Sequence, residues 1–404
     1  MSYIERGTKE FRLANLALFA GGFVTFAILW SIQPLLPEIA KQYQVSPAVS
    51  SLTLSSTTVA LAISMLVAGS LSEVFGRKPV MTVSLLASSI LAILAAFSSN
   101  FHVLLLLRVV QGIALGGLPA IAMAYLGEEI KPSSLGMAMG LYISGNTIGG
   151  MSGRIITGAL TDYFDWRVAL IGIGILSLFA SLLFWLTLPK STHFEPRKLE
   201  FGKLGMSLLS QFKEPGFVYL FGVGFLLMGG FSSLYNYIGF QLIAPPYSLS
   251  QTLVGFIFVV YLVGTFSSTW MGMLADQHGR RKILQIALGI FFIGACLTLY
   301  GNLWIKIIGI AVFTFGFFAG HSIASSWVGK LATHDKAQVS ALYLFFYYVG
   351  SSVGGTAGGT FYGSFGWVGV VGMIVVFTCI AFGLSTKIGK KKVQLSSKQV
   401  SLKM

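Results

Sequence analysis

Long apolar runs alternate with short polar breaks along almost the whole of this 404-residue chain. Crossing the hydrocarbon core of a bilayer takes roughly 20 mostly apolar residues per helix, and the breaks cut the chain into pieces of about that length. Six pieces run over Leu13–Leu36, Ser50–Ser72, Pro79–Phe97, Val103–Leu126, Leu135–Leu160 and Val168–Leu188. After a polar stretch, Pro189–Pro215, six more follow at Phe217–Leu242, Leu253–Leu274, Ile283–Tyr300, Leu303–Trp327, Ala341–Tyr362 and Val368–Leu384. The pattern lacks the alternating ~10-residue strands of a membrane barrel. It predicts an all-α integral membrane protein of twelve transmembrane helices in two six-helix halves, residues 1–188 and 216–404, joined by a linker at 189–215. The first run is too long for a signal-peptide core and no small-residue cleavage site follows it, so it is expected to stay as a span.

The halves repeat each other. Gly69–Lys78 reads GSLSEVFGRK and Gly272–Lys282 reads GMLADQHGRRK. Gly69, Glu73, Gly76 and Arg77 correspond to Gly272, Asp276, Gly279 and Arg280, each pair 203 residues apart. Glycines at every fourth position repeat as well: Gly145, Gly149 and Gly153 in the fifth run, and Gly350, Gly354 and Gly358 in the eleventh.

Composition agrees with the pattern, since a chain that is 55% hydrophobic and 10% charged, with mean hydropathy +0.80, is too apolar for a soluble core. A net charge of +14 would suit nucleic acid, but the Lys and Arg residues collect in the tails and in the loops of one side. The opposite loops hold only Lys41 and Arg167. By the positive-inside rule both termini are cytoplasmic, and no nucleic-acid partner is expected. The linker carries Lys190, Arg197, Lys198, Lys203 and Lys213. Within it Phe201, Leu204, Leu208 and Phe212 recur at helical spacing, as in an amphipathic helix on the membrane surface; Gly202 and Gly205 suit a flexible loop equally. Lys390, Lys391 and Lys392 in the tail are placed to meet anionic headgroups. Cys296 and Cys379 fall inside apolar runs and read as packing residues.

The doubled G-x-L-x-[D/E]-x-x-G-R-[K/R] loop, after the second and eighth of twelve spans, resembles the major facilitator superfamily of secondary transporters. Arg108–Gly112, RVVQG, is similar to the family's R-x-x-Q-G segment. Gly145–Arg154, GNTIGGMSGR, resembles the G-x-x-x-G-P-x-x-G-G signature of its bacterial drug:proton antiporter branch, with Gly150 where the proline stands and Arg154 where the last glycine stands. The resemblance implies proton-coupled efflux of small organic compounds across the bacterial cytoplasmic membrane, by a monomer whose partners are a small-molecule substrate, protons and membrane lipids. It also implies that Glu73 and Asp276 belong to a charge latch on the cytoplasmic side; helix capping and topology alone would account for the glycines and arginines. With no G-x-x-x-x-G-K-[S/T] loop and no H-E-x-x-H, neither ATP hydrolysis nor enzymatic chemistry is expected, and no cofactor or metal is called for.

Arg108 and Arg154 lie inside spans at similar depth. Burying an arginine in a bilayer costs at least about 2.5 kcal/mol, so such residues face a cavity or the bundle interior. No acidic residue lies mid-span. The two arginines with Gln111 and Asn146 are candidates for proton coupling or for holding an organic anion, which would make uptake or exchange of that anion the alternative function. Backbone carbonyls could equally hold them as structural cations. Tyr235, Asn236 and Tyr237 could line a pocket with Gln33 facing them across the cavity, or form an interfacial belt, since both segments approach the outer surface. The glycine stripes serve close helix packing, static or sliding. His321 is either a proton carrier or an interfacial histidine, and Lys306 is expected to snorkel.

Overall fold

The computed structural model describes residues 3–194, 201–332 and 336–388. These are helical almost throughout. The helices are α1 Lys9–Tyr43, α2 Pro47–Phe75, α3 Arg77–Ala96, α4 Phe101–Glu129, α5 Pro132–Tyr163, α6 Trp166–Thr187, α7 Pro215–Ile243, α8 Gln251–His278, α9 Arg280–Leu297 and α10 Leu303–Leu331. A last continuous stretch, Lys336–Ser385, turns at Gly366 (φ 61°, ψ −150°) and so contains α11 (336–365) and α12 (367–385). Nine helical stretches among the described residues are long and apolar enough to cross a membrane, the joined α11–α12 stretch being one. Helix α5, with Arg154, and α9, which begins on Arg280, Arg281 and Lys282, complete the twelve.

Local chemistry sets the helix ends. Each even helix from α2 to α10 begins on a residue whose side chain accepts from the first turn: Ser46, Asn100, Asp165, Ser250 and Asn302, the usual N-cap choices. Between α2 and α3, and again between α8 and α9, the chain turns on a glycine, Gly76 at φ 93°, ψ 151° and Gly279 at φ 92°, ψ 128°. Neither glycine takes the left-handed helical conformation common at helix ends; both have an extended backbone of positive φ, a region close to glycine-only. Helices run past the apolar runs because they continue beyond the hydrocarbon: α10 ends at Leu331 rather than Trp327. Helix α1 does the reverse, its regular part ending at Ser31 before a 3-10 turn at Gln33–Leu35. Pro34 supplies no N–H to continue the ladder.

The contacts sort the chain into two compact units. The first holds α1–α6 (residues 1–200) with residues 232–261 and 351–370 of α7, α8 and α11; the second holds residues 201–231, 262–350 and 371–404. In the first, α1 is buried along most of its length. Helix α5 lies directly on its backbone: a Cβ at Gly153 would stand 2.6 Å from the Ala27 carbonyl, and Gly145 and Gly149 meet the carbonyls of Phe19 and Phe23 more tightly still. In the second, Phe231 stacks on Phe317 at 3.7 Å and Phe291 on Phe313 at 4.1 Å. Gly294 and Gly316 let α9 and α10 approach at the level of those rings.

The linker is helical over Phe201–Ser210, so of the two expected forms it takes the helix there. Arg197, Lys198 and the tail lysines Lys390, Lys391 and Lys392 lie outside the described residues.

Candidate functional site

The interrupted end of α1 organises the interior at the ends of the helices remote from the Gly69–Lys78 loop. Its last carbonyls find donors on other helices. Leu29 O accepts from Arg108 at 3.2 Å and Ser31 O from the Thr157 hydroxyl at 2.9 Å.

Arg108 is fully buried. Besides Leu29 O, its guanidinium donates to Thr53 O on α2 at 2.9 Å and to Gln111 Oε1 at 2.5 Å, and the Gln111 amide donates to Ser88 O on α3 at 2.9 Å. Gly112 allows this seating, since a Cβ there would strike the Thr57 carbonyl. Arg108 and Gln111 thus pin α1, α2 and α3 to α4 through uncharged oxygens.

Arg154, equally buried, is held differently. Nε donates to Gln33 Oε1 at 2.8 Å and NH1 to Gly150 O at 2.7 Å. The guanidinium carbon lies 4.8 Å from the Trp30 ring, 4.6 Å from Phe258 and 4.9 Å from Tyr261, all within cation–π range. The two departures from the fifth-helix signature touch each other: a Cβ on residue 150 would already be in van der Waals contact with Arg154 NH1, at 3.5 Å.

An arginine only donates, so it fixes which way the neighbouring amides point. Gln33 must present Oε1 to Arg154, which turns its NH2 toward Asn236, whose Oδ1 accepts at 2.7 Å. The Asn236 amide nitrogen is left buried with no hydrogen-bond partner. Gln33 and Asn236 are 203 residues apart, the offset of the duplicated loop, so they are equivalent positions of the two repeats bonded to each other. Tyr235 stacks on Phe258 at 5.1 Å and meets Tyr261 edge-on at 5.3 Å. Tyr237 donates to Gly355 O at 2.5 Å, and Ser55 on α2 contacts Ser352 O and the Thr356 hydroxyl at 3.2 and 2.9 Å. Thr252 donates to Asp162 at 2.6 Å, holding that carboxyl below its usual range. Helices α5 and α8 cross closely here at Gly158 and Gly255.

Asn146 stands apart from this cluster, its Oδ1 against Gly22 on α1. The second glycine stripe faces α7: Gly350 meets the Phe225 backbone, Gly354 O accepts from Ser233 at 2.6 Å, and a Cβ at Gly358 would lie 3.0 Å from the Ser233 side chain.

At the first loop, Arg77 grips Glu128 of α4 with two bonds, 3.1 and 2.7 Å, and donates to Ser72 Oγ at 2.5 Å and Gly69 O at 3.4 Å. Glu73 lies 3.9 Å from Arg77 of its own loop. At the second loop, Asp276 accepts from Arg280 at 2.5 Å and from Lys330 of α10 at 2.9 Å. A Cβ at Gly69 would meet nothing within 4 Å, and one at Gly272 only Ser322, at 3.9 Å.

Several residues of these networks have no signal in the sequence pattern. Trp30, Phe258 and Tyr261 are ordinary apolar-span aromatics until Arg154 is placed among them. Glu128, two residues past the fourth run, is a second acid near the loop that the sequence offers. Lys306 is buried and bonded to Thr298 O at the end of α9, so it caps a helix C-terminus instead of snorkelling. His321 contacts the Tyr343 hydroxyl at 3.0 Å and the Tyr347 ring at 4.5 Å.

A family model described as Major Facilitator Superfamily matches residues 18–247 and 231–400. The chain is 55% identical over 385 residues to the uncharacterised MFS-type transporter YybF of Bacillus subtilis (strain 168), covering 95% of each chain. It is 44% identical to the inner membrane transport protein YnfM of Escherichia coli (strain K12), covering 96% of this chain and 93% of that one. At 26% identity it matches the multi-drug resistance efflux pump PmrA of Streptococcus pneumoniae, over 89% of this chain and 92% of the other. Among solved structures, the nucleoside transporter NupG superposes with a TM-score of 0.80 at 16% identity, covering 93% of this chain and all of that one.

Proposed function

Because the chain belongs to the Major Facilitator Superfamily, and is therefore a secondary membrane transporter with a small-molecule substrate, we propose that it exports small organic compounds in exchange for protons by alternating access. The observation that carries this proposal is the Gln33–Asn236 hydrogen bond with Arg154 behind it. A bond between equivalent positions of two repeats sits where a two-fold relation brings them together, the place a rocking transporter must open. Arg154, Gln33 and Asn236, boxed by Trp30, Phe258 and Tyr261, are then the gate of the outward side. Glu128, Arg77, Asp276 and Lys330 belong to the cytoplasmic side, with both termini.

Export is supported by the Gly145–Arg154 signature and by the similarity to a relative named as an efflux pump. The cytoplasmic membrane is supported by the inner membrane transport protein. Proton coupling has a carrier of the right chemistry in His321 beside Tyr343, the ring nitrogen and hydroxyl 3.0 Å apart within α10 and α11. Exchange of an organic anion held by Arg108 and Arg154 draws less support, because Arg108 bonds to carbonyl and amide oxygens and three rings surround Arg154.

The test is a panel of cationic and anionic compounds in proteoliposomes under an imposed pH gradient. Gradient-dependent movement of cationic or neutral compounds supports export. Movement of anions alone, lost in Arg154→Gly, would replace it with the anion exchanger.

A further inference from the structure

The duplicated loops are neutralised in different ways. In the first half Arg77 has both oxygens of Glu128, and the Lys78 ammonium donates to the Leu188 carbonyl at 2.5 Å. In the second half Arg280, Arg281, Lys282 and Lys330 gather near a single carboxylate among the described residues, Asp276. Arg280 and Lys330 share it. The side chains of Arg281 and Lys282 make no hydrogen bond or ion pair with any described residue. On α10 the partner of the loop arginine is Ser326, at 3.1 Å, where α4 supplied Glu128. The four cations and Asp276 line an open cleft of about 720 Å³ that also includes Trp327.

A cleft with four cations and one acid already bonded to two of them carries a net positive field. Guanidinium forks and a lysine ammonium together match the tetrahedral oxygens of phosphate. Trp327 is the kind of side chain that settles at headgroup level. We infer that this cleft binds a phosphate-bearing anion, carried either by an anionic phospholipid headgroup at the membrane face or by a soluble compound. The anion supplies to the second loop the negative charge that Glu128 supplies to the first. The site rests on the second unit alone and is independent of cargo and transport direction.

The test uses the full-length protein in nanodiscs and reads the rate of acylation of Lys282 by peptide mass spectrometry, with exposed Lys41 as the internal reference. Phosphatidylcholine nanodiscs are compared with nanodiscs containing phosphatidylglycerol, and inorganic phosphate is titrated into the phosphatidylcholine sample. Protection of Lys282 but not Lys41 by phosphatidylglycerol assigns the site to a headgroup, and the same selective protection by inorganic phosphate assigns it to a soluble anion. In Arg281→Gln the half-protecting concentration should rise by about fivefold, as expected for one cation near a charged surface. Equal acylation of Lys282 under all three conditions overturns the inference, as does equal protection of Lys41, which would mean diffuse surface charge only.

Discussion

Replacing Asn236 by alanine deletes the acceptor of the Gln33 amide and leaves the rest of the Arg154 cluster in place. A hydrogen bond contributes about 0.5–1.5 kcal/mol net, and more when a charged group takes part. The Gln33 amide is bonded on its other side to the Arg154 guanidinium at 2.8 Å, so a value of about 1.5 kcal/mol is reasonable. The buried Asn236 nitrogen, which has no partner, is removed in the same step and returns part of that loss. The closed arrangement should therefore weaken by about 1–1.4 kcal/mol, which raises the fraction of molecules open at this end by about five- to tenfold. A Ser352→Cys reporter in a Cys296→Ala/Cys379→Ala background measures it, using a membrane-impermeant maleimide on intact cells. Labelling should rise by that factor in Asn236→Ala and by more in Gln33→Leu, which also takes the acceptor from Arg154 Nε, and adding Asn236→Ala to Gln33→Leu should add little, because the shared bond is already gone. Unchanged labelling in both single variants, or full additivity in the double, would refute the gate.

Other outcomes follow from the same geometry. Glu128→Gln should lower the thermal midpoint more than Glu73→Gln, since Glu128 holds Arg77 by two short bonds and Glu73 is 3.9 Å away; equal effects on melting would contradict this. Gly149→Val should abolish membrane accumulation of the folded protein, because the Cβ alone would strike the Phe23 backbone, and a normal yield of folded protein would be unexpected. The Asp162 carboxyl is held low by Thr252, so its charged form keeps the contact as pH falls through the ordinary carboxylate range near about 4 and loses it only below. The labelling rate of the reporter in Asp162→Asn divided by that in the otherwise unchanged protein, a ratio that cancels the thiol's own pH dependence, should therefore stay constant down to that pH, and a ratio that drifts above it would contradict the reading. His321→Gln should lose gradient-driven transport while retaining substrate exchange, and full retention of both would remove it as the proton carrier.

The twelve helices were legible because a span needs only a run of apolar residues, and the duplicated loop betrayed the repeat. Helix limits were less so: hydropathy marks the membrane, whereas α2 and α10 continue into polar sequence and α1 breaks at Pro34 inside its apolar run. The polar residues inside spans were also visible, but their partners were not. Nothing in periodicity says that Gln33 meets Asn236, or that Arg154 finds aromatic faces where a carboxylate would be the usual expectation. For the loops, an acid four residues before each arginine drew attention to Glu73, while the bidentate partner, Glu128, lies 51 residues further on. Contacts between distant segments are fixed by packing, and the glycines that permit them, Gly158 and Gly255 among them, acquire meaning only once the helices are crossed.

Proton-driven export is tested most directly by proton flux. In proteoliposomes loaded with a pH-sensitive dye and held under an imposed pH gradient, a transported compound should move protons in the direction opposite to its own, and the flux should vanish in His321→Gln. Substrate movement with no proton flux, or with protons travelling in the same direction, would contradict it.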